Sequence, residues 1–336
     1  MVRVIVQVYK GLISLMLVAL TLCSCVTWDG PPHAGSIPSR PPNAPGAKAL
    51  FNELNQADES EREAVILREL QRGNLPDCLR QQERVRFLSR TRSGRLLEVT
   101  LWVLPDYLAI GSDQDFVRIP MSPITAQRIA NSYGFVLPTA KIVDAIYQMA
   151  DLRVAPRPFP PSRAMVSMGE YYRHHEVIQT QVGRACSGRL LAGHKKDVVI
   201  TNQLLSRPKK VAIYGWHQVN GQPIQPLSLV HGNYYADYSH GIRLINVQML
   251  VEDKVRAVAE VLQDPELAPL LSYEGALRMI RYGTAIGDLN RHWWPQSRSL
   301  PRVGPSKLGL QRAASVTCCI ALNPMPFKPL AQPAME

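Results

Sequence analysis

Val211-Ala212-Ile213-Tyr214-Gly215-Trp216-His217-Gln218-Val219-Asn220-Gly221-Gln222-Pro223-Ile224-Gln225-Pro226-Leu227-Ser228-Leu229 is the stretch whose reading decides the fold class. Asn220-Gly221 is a strong tight-turn signal, because both residues tolerate positive φ. It pairs a strand over 211–219 with one over 222–229. Upstream, Val198-Val199-Ile200 reads as another strand, and downstream so does Ile242 to Val247. Val255, Val258, Ala259 and Leu262 then recur at helical spacing until Pro265 stops them.

The first half alternates in the same way. Ser60-Glu61-Arg62-Glu63 reads as a capping box before Ala64, Leu67 and Leu70, with Gly73-Asn74 ending that helix. Period-two runs at Val85 and Phe87, Val99 to Val103, Leu108 and Ile110, and Val117 and Ile119 read as short strands. Two helices follow, one on Ala126, Ile129, Ala130 and Tyr133, one on Ile142, Ile146, Met149 and Ala150 behind a Thr139 cap. Strand runs alternate with blocks of helix rather than one for one. The expected class is α+β, with mixed or antiparallel sheets and several packed helices.

The globular domain is expected over 48–290, with a lobe boundary or long surface loop at the proline-rich segment near 151–163. Thirteen of the 27 prolines lie in 26–47 and 291–336, which read as a tether and a tail. The net charge of +11 is uneven: residues 48–290 hold 29 Lys+Arg against 25 Asp+Glu, and 291–336 hold six against one. A basic tail outside the cytoplasm meets anionic lipid or acidic wall polymers, or is simply a solvated end. Nucleic acid is not expected as a partner.

Residues 1–24 have the shape of a secretory signal: Arg3 and Lys10, an apolar stretch to Leu22, then Cys23-Ser24 before Cys25. Leu22-Cys23-Ser24-Cys25 resembles the lipobox of bacterial lipoproteins. That resemblance implies cleavage before Cys25, acylation of its thiol and a lipid-anchored chain facing the cell envelope. The alternatives are an ordinary secreted protein and a retained N-terminal helix. Cys78 and Cys186 are able to pair in an oxidising compartment. Cys318-Cys319 has no metal-type spacing.

Six of the eight histidines lie between 174 and 240. His194, Asp197, His217, His231, Asp237, Ser239 and His240 are the candidate catalytic groups, and Trp216, Tyr235 and Arg243 the candidate substrate contacts. Imidazoles at strand ends beside glycines can move protons or bind metal, so a divalent metal is weighed as cofactor. Arg243 would clamp a carboxylate. Against this, Tyr234, Tyr235 and Tyr238 also suit a sheet face, Lys195-Lys196 a solvated turn, and His174-His175 shows no partner. There is no His-Glu-x-x-His, CxxC, Gly-x-Ser-x-Gly or P-loop.

Ser239-His240-Gly241-Ile242-Arg243-Leu244 resembles the Ser-His-Gly-Cys-Ile-Arg-Leu motif of L,D-transpeptidases, with His231-Gly232 similar to that family's preceding His-Gly. The cysteine is missing here, so the family's covalent mechanism does not transfer. Gly193 to Val199, Ala212 to His217, Pro223 to Leu227 and Asp237 to Gly241 resemble a group of secreted bacterial proteins of unassigned activity. Three readings stand: a hydrolase or transferase acting on peptidoglycan or another envelope polymer, a non-catalytic envelope binding or scaffolding protein, and structural histidines.

Overall fold

The computed structural model describes residues 30–31, 35–183 and 185–283. The signal segment 1–24, Cys25 and the 291–336 tail with Cys318-Cys319 lie outside the described residues. The chain is α+β. A five-stranded sheet runs β1 (Glu83–Arg90), β2 (Leu96–Val103), β12 (Ile245–Val251), β13 (Lys254–Ala257), with β5 (Phe135–Val136) also pairing β12. A four-stranded sheet runs β10 (Pro223–Ser228), β9 (Ile213–His217), β8 (Lys196–Val198), β11 (His240–Gly241). Two small pairs complete the strands: antiparallel β3 (Ala109–Gly111) with β4 (Phe116–Arg118), and parallel β6 (Leu152–Arg153) with β7 (Leu191–Ala192).

Around them lie α1 (Ala47–Gln56), α2 (Glu59–Gln71), α3 (Pro123–Tyr133), α4 (Ala140–Met149), α5 (Met168–Val182) and α6 (Val258–Gln263). The antiparallel hairpin expected at Asn220-Gly221 is present, with His217 opposite Pro223 and Gly215 opposite Gln225. Gly221 takes φ +92° in its turn. β2 sits mid-sheet, and its Val99, Leu101 and Val103 are sealed in the main core. α3 begins on Ser122, whose hydroxyl accepts from Thr125 N, and ends on Gly134 at φ +75°. Thr139 caps α4 as expected, accepting from Ile142 N at 3.2 Å.

Several expectations are corrected. The capping box of α2 is Asp58 with Glu61, not Ser60 with Glu63. Asp58 offers the same acceptor one frame upstream, which frees Glu63 to accept from Ser122 N and Oγ at 2.9 and 2.8 Å. The strand read over 242–247 starts only at Ile245, as β12, with Ile242–Leu244 irregular after β11, and Val255 belongs to β13, so the last helix starts at Val258. Described residues from Pro31 onward form one compact unit, so the prolines near 151–163 mark a surface loop and divide no lobes. The second half of the 25–47 tether is docked: Ile37 packs on the core, and Arg40 Nε donates to Asn74 Oδ1 (3.0 Å) and Gly111 O (3.1 Å). A proline-rich strand bonds poorly through its own backbone; here an arginine supplies the donors. Cys78 and Cys186 form a disulfide across 108 residues, with Cα atoms 6.0 Å apart. No described helix is long and apolar enough to cross a membrane.

Candidate functional site

The four-stranded sheet gathers most of the candidates, because β8 meets both β9 and the parallel β11, where His240 faces Lys196 and Gly241 faces Asp197. They separate into distinct clusters there. The deepest is built on Asp106. Its carboxylate accepts from Arg118 Nε and NH2 through Oδ2 (2.8 and 2.6 Å) and lies 3.0 Å from His194 Nε2 through Oδ1. Arg118 NH1 donates to His175 Nδ1 (3.2 Å) and Gln179 Oε1 (2.7 Å). Burial alone would raise the Asp106 carboxyl; the Arg118 guanidinium and His194 reverse that and hold it below its ordinary range. Burial pushes His194 down to about 4, so it is neutral near pH 7. His194, His175 and Arg118 are sealed from solvent. His194 is therefore a link in an internal ion-pair network, placed where substrate has no access.

Asp197 and Arg243 are also interior. Tyr107 OH donates to Asp197 Oδ2 at 2.8 Å, and burial lifts that carboxyl to about 6 against the pull of Arg243 and Tyr107. The Arg243 guanidinium donates to Leu104 O (2.8 Å) and Leu191 O (2.5 Å), with its centre 4.4 Å from the Tyr107 ring centroid. It ties β-strand ends together and does not present a clamp to a ligand. Lys195, read as part of a solvated turn, is buried and donates to Tyr238 O. Burial and then Arg118 lower its amine to about 7.

His217 lies apart from these. Its Nε2 is 2.8 Å from Asp144 Oδ1, its ring stacks on Tyr147 at 4.5 Å, and Tyr214 and Tyr273 hydroxyls donate to the same carboxylate. Trp216 just before it has φ +56°, a conformation that bulky residues rarely adopt. Its backbone N–H donates to Lys195 O at 3.1 Å, which holds this kink.

The remaining candidates gather just beneath the surface: Asp237, Ser239, His240 and Trp216 are buried, and His231, Tyr235 and Lys196 above them are partly exposed. Asp237 Oδ1 accepts from Ser239 N (2.8 Å) and from Ser239 Oγ, and Oδ2 accepts from Tyr235 OH (3.1 Å). His240 Nε2 stands 4.0 Å from Asp237 Oδ2, and neither of its ring nitrogens has a partner. Burial takes His240 down to about 4 against the attraction of Asp237. Ser239 gives its hydroxyl to the carboxylate rather than to an imidazole, so it is not placed as an activated nucleophile. His231 is half-buried and stacks on Tyr235 at 4.0 Å, while Lys196 Nζ lies 5.0 Å from the Trp216 ring centroid. This edge (His231, Tyr235, Lys196 and Trp216 over Asp237 and His240) is where candidate groups approach solvent.

The donors weighed for a divalent metal are not assembled. Among the described residues the one His/Cys/Asp/Glu trio within reach of a common ion is Cys78, Asp113 and Cys186, and the disulfide occupies both sulfurs. Asp106, Arg118, Tyr107 and Asp144 escaped the sequence reading. A charged Arg118 inside the apolar run 116–121 was the available signal for the first pair; Asp144 gave none. Compared with known proteins, the chain matches no family model, no curated protein and no solved structure.

Proposed function

We propose that the chain is an exported, lipid-tethered protein that binds an envelope polymer, most simply peptidoglycan, at the His231–Tyr235–Lys196–Trp216 edge, without turning it over. The observation that carries this reading is a stacked ring pair beside a cation at that edge: His231 on Tyr235 at 4.0 Å, and Lys196 over Trp216 at 5.0 Å. Rings pack on the C–H faces of sugars, and cations meet the carboxylates of wall or anionic polymers. Sealed His194, Asp197 and Arg243 weigh against a dispersed catalytic centre, since an acid–base group must come within hydrogen-bond reach of its proton. The disulfide supports export to an oxidising compartment.

A second reading, hydrolysis or group transfer, is favoured by the unpartnered His240 beside Asp237, because such pairs tighten when substrate arrives. Co-sedimentation of the full chain with purified sacculi, together with assay of released muropeptides, separates the two. Sedimentation with no release supports binding alone. Release that His240→Ala abolishes moves the function to catalysis, and absence of both rejects the polymer.

A further inference from the structure

The rings of His174, Trp216 and Tyr238 form a triangle beneath the surface. His174 lies 4.9 Å from Tyr238 and 6.4 Å from Trp216, and Trp216 lies 6.3 Å from Tyr238, centroid to centroid. Neither nitrogen of His174 has a hydrogen-bond partner, nor does Trp216 Nε1, and all three atoms are out of reach of solvent. Each unpaired buried polar group costs ~1–3 kcal/mol. Lys195 Nζ, bonded to Tyr238 O at 2.5 Å, adds an amine donor next to them. His175, the neighbouring imidazole on α5, is bonded to Arg118; His174 on the same helix serves no such network.

Phe159 lies over two rings of the triangle. Phe159 stacks on Tyr238 at 4.7 Å and meets His174 edge-on at 5.5 Å. It comes from the irregular segment 155–162, where Pro156, Pro158, Pro160 and Pro161 have no N–H to donate. Tyr238 OH accepts from Phe159 N at 2.6 Å, Gln181 Nε2 donates to Ala155 O at 3.2 Å, and the Arg173 guanidinium sits 4.2 Å from the Phe159 ring centroid. Tyr238 OH also lies 3.4 Å from Phe159 O, and Phe159 packs on the core at its margin; none of these ties is a strand pairing, so the segment can lift without disturbing a sheet.

We propose that 155–162 is a displaceable cover, plugged by Phe159, over a pocket floored by His174, Trp216, Tyr238 and Lys195 that takes one acetamido sugar of a glycan. This deepens the polymer-binding reading and rests on it for the choice of ligand. A six-membered sugar ring replaces a six-membered aromatic ring. A neutral imidazole offers one donor and one acceptor, and the indole N–H and the lysine offer donors. An acetamido group brings the matching carbonyl and N–H. Trp216 belongs to both places, its ring lying between Lys196 at the edge and His174 inside.

The test is calorimetric titration of the full chain with tetra-N-acetylglucosamine. Phe159→Ala removes the plug, so it binds the probe at least ~tenfold more tightly than wild type, because the closed population no longer dilutes the competent one. Adding His174→Leu and Trp216→Phe to that variant loses the gain. If Phe159→Ala binds no better, or the floor changes leave its binding intact, the pocket is overturned; should the floor variant melt early, Phe159→Ala alone decides. Sacculi held through Lys196 and His231, with no probe binding by Phe159→Ala, leave the edge reading standing without the pocket. Probe binding gained in Phe159→Ala, with no sacculus binding by any variant, leaves the pocket without the edge reading.

Discussion

Two groups of histidines that look alike in the sequence live in opposite surroundings. His175 and His194 are bound into the Asp106–Arg118 network, sealed from water, with the guanidinium holding the Asp106 carboxylate in its charged form. His231 stacks on Tyr235 at the edge of the four-stranded sheet, above an unpartnered His240. In the first group each imidazole is bonded to the network through one nitrogen, His175 to Arg118 and His194 to Asp106; in the second, His240 is bonded through neither. Histidine density is therefore no measure of function by itself. What separates the groups is whether the fold supplies their partners.

The largest effect expected from breaking this contrast is on the inner network. Asp106→Ala strands the Arg118 guanidinium without its counter-charge and should cost about 3–5 kcal/mol, a fall in melting temperature on the order of 10 °C for a domain of this size. Adding Arg118→Met should recover much of it, since an apolar replacement of both partners is often neutral; a thermal melt of the two variants checks both. At the edge the pattern inverts. Lys196→Ala with His231→Ala should lower sacculus binding at least ~tenfold, about 1.4 kcal/mol, with unfolding shifted by no more than ~1 kcal/mol per half-buried change. Urea midpoints beside the binding curve read the two effects separately.

A smaller effect should appear in the pH dependence. Lys195 titrates near 7 in the fold, lowered by burial and by Arg118, against 10.5 when unfolded. Between those values the unfolded chain binds the extra proton, so stability rises with pH across that window. Lys141, lowered to about 8 by burial, adds to the upper part of the rise. Lys195→Met should flatten the rise in urea midpoint from pH 7 to pH 9, and an unchanged slope would show that Lys195 is not buried as described.

The α+β class, the Asn220-Gly221 hairpin and the two capped helices α3 and α4 were legible because each rests on local signals: a turn dipeptide, a cap hydroxyl, an apolar stripe. α5 was not. Its buried face is Met168, Tyr171, His174, His175, Ile178 and Gln179, and a stripe made half of polar residues hides its period from any apolar template. The strand ends that carry the candidates were found, and so was the disulfide's availability. Their partners were not, since the side chains that Asp106, Arg118 and Asp144 bind lie 12 to 129 residues away. Only folding sets such pairs, and only folding shows that Arg243 faces carbonyls and Ser239 a carboxylate.

The most direct test of the contrast is a side-by-side sacculus co-sedimentation of Lys196→Ala/His231→Ala and His194→Gln, each corrected for its folded fraction from a melt. The account predicts that the edge variant keeps its melting temperature and loses the polymer, while the interior variant melts earlier and sediments as wild type does. Polymer binding that survives the edge changes and disappears with His194→Gln would contradict it.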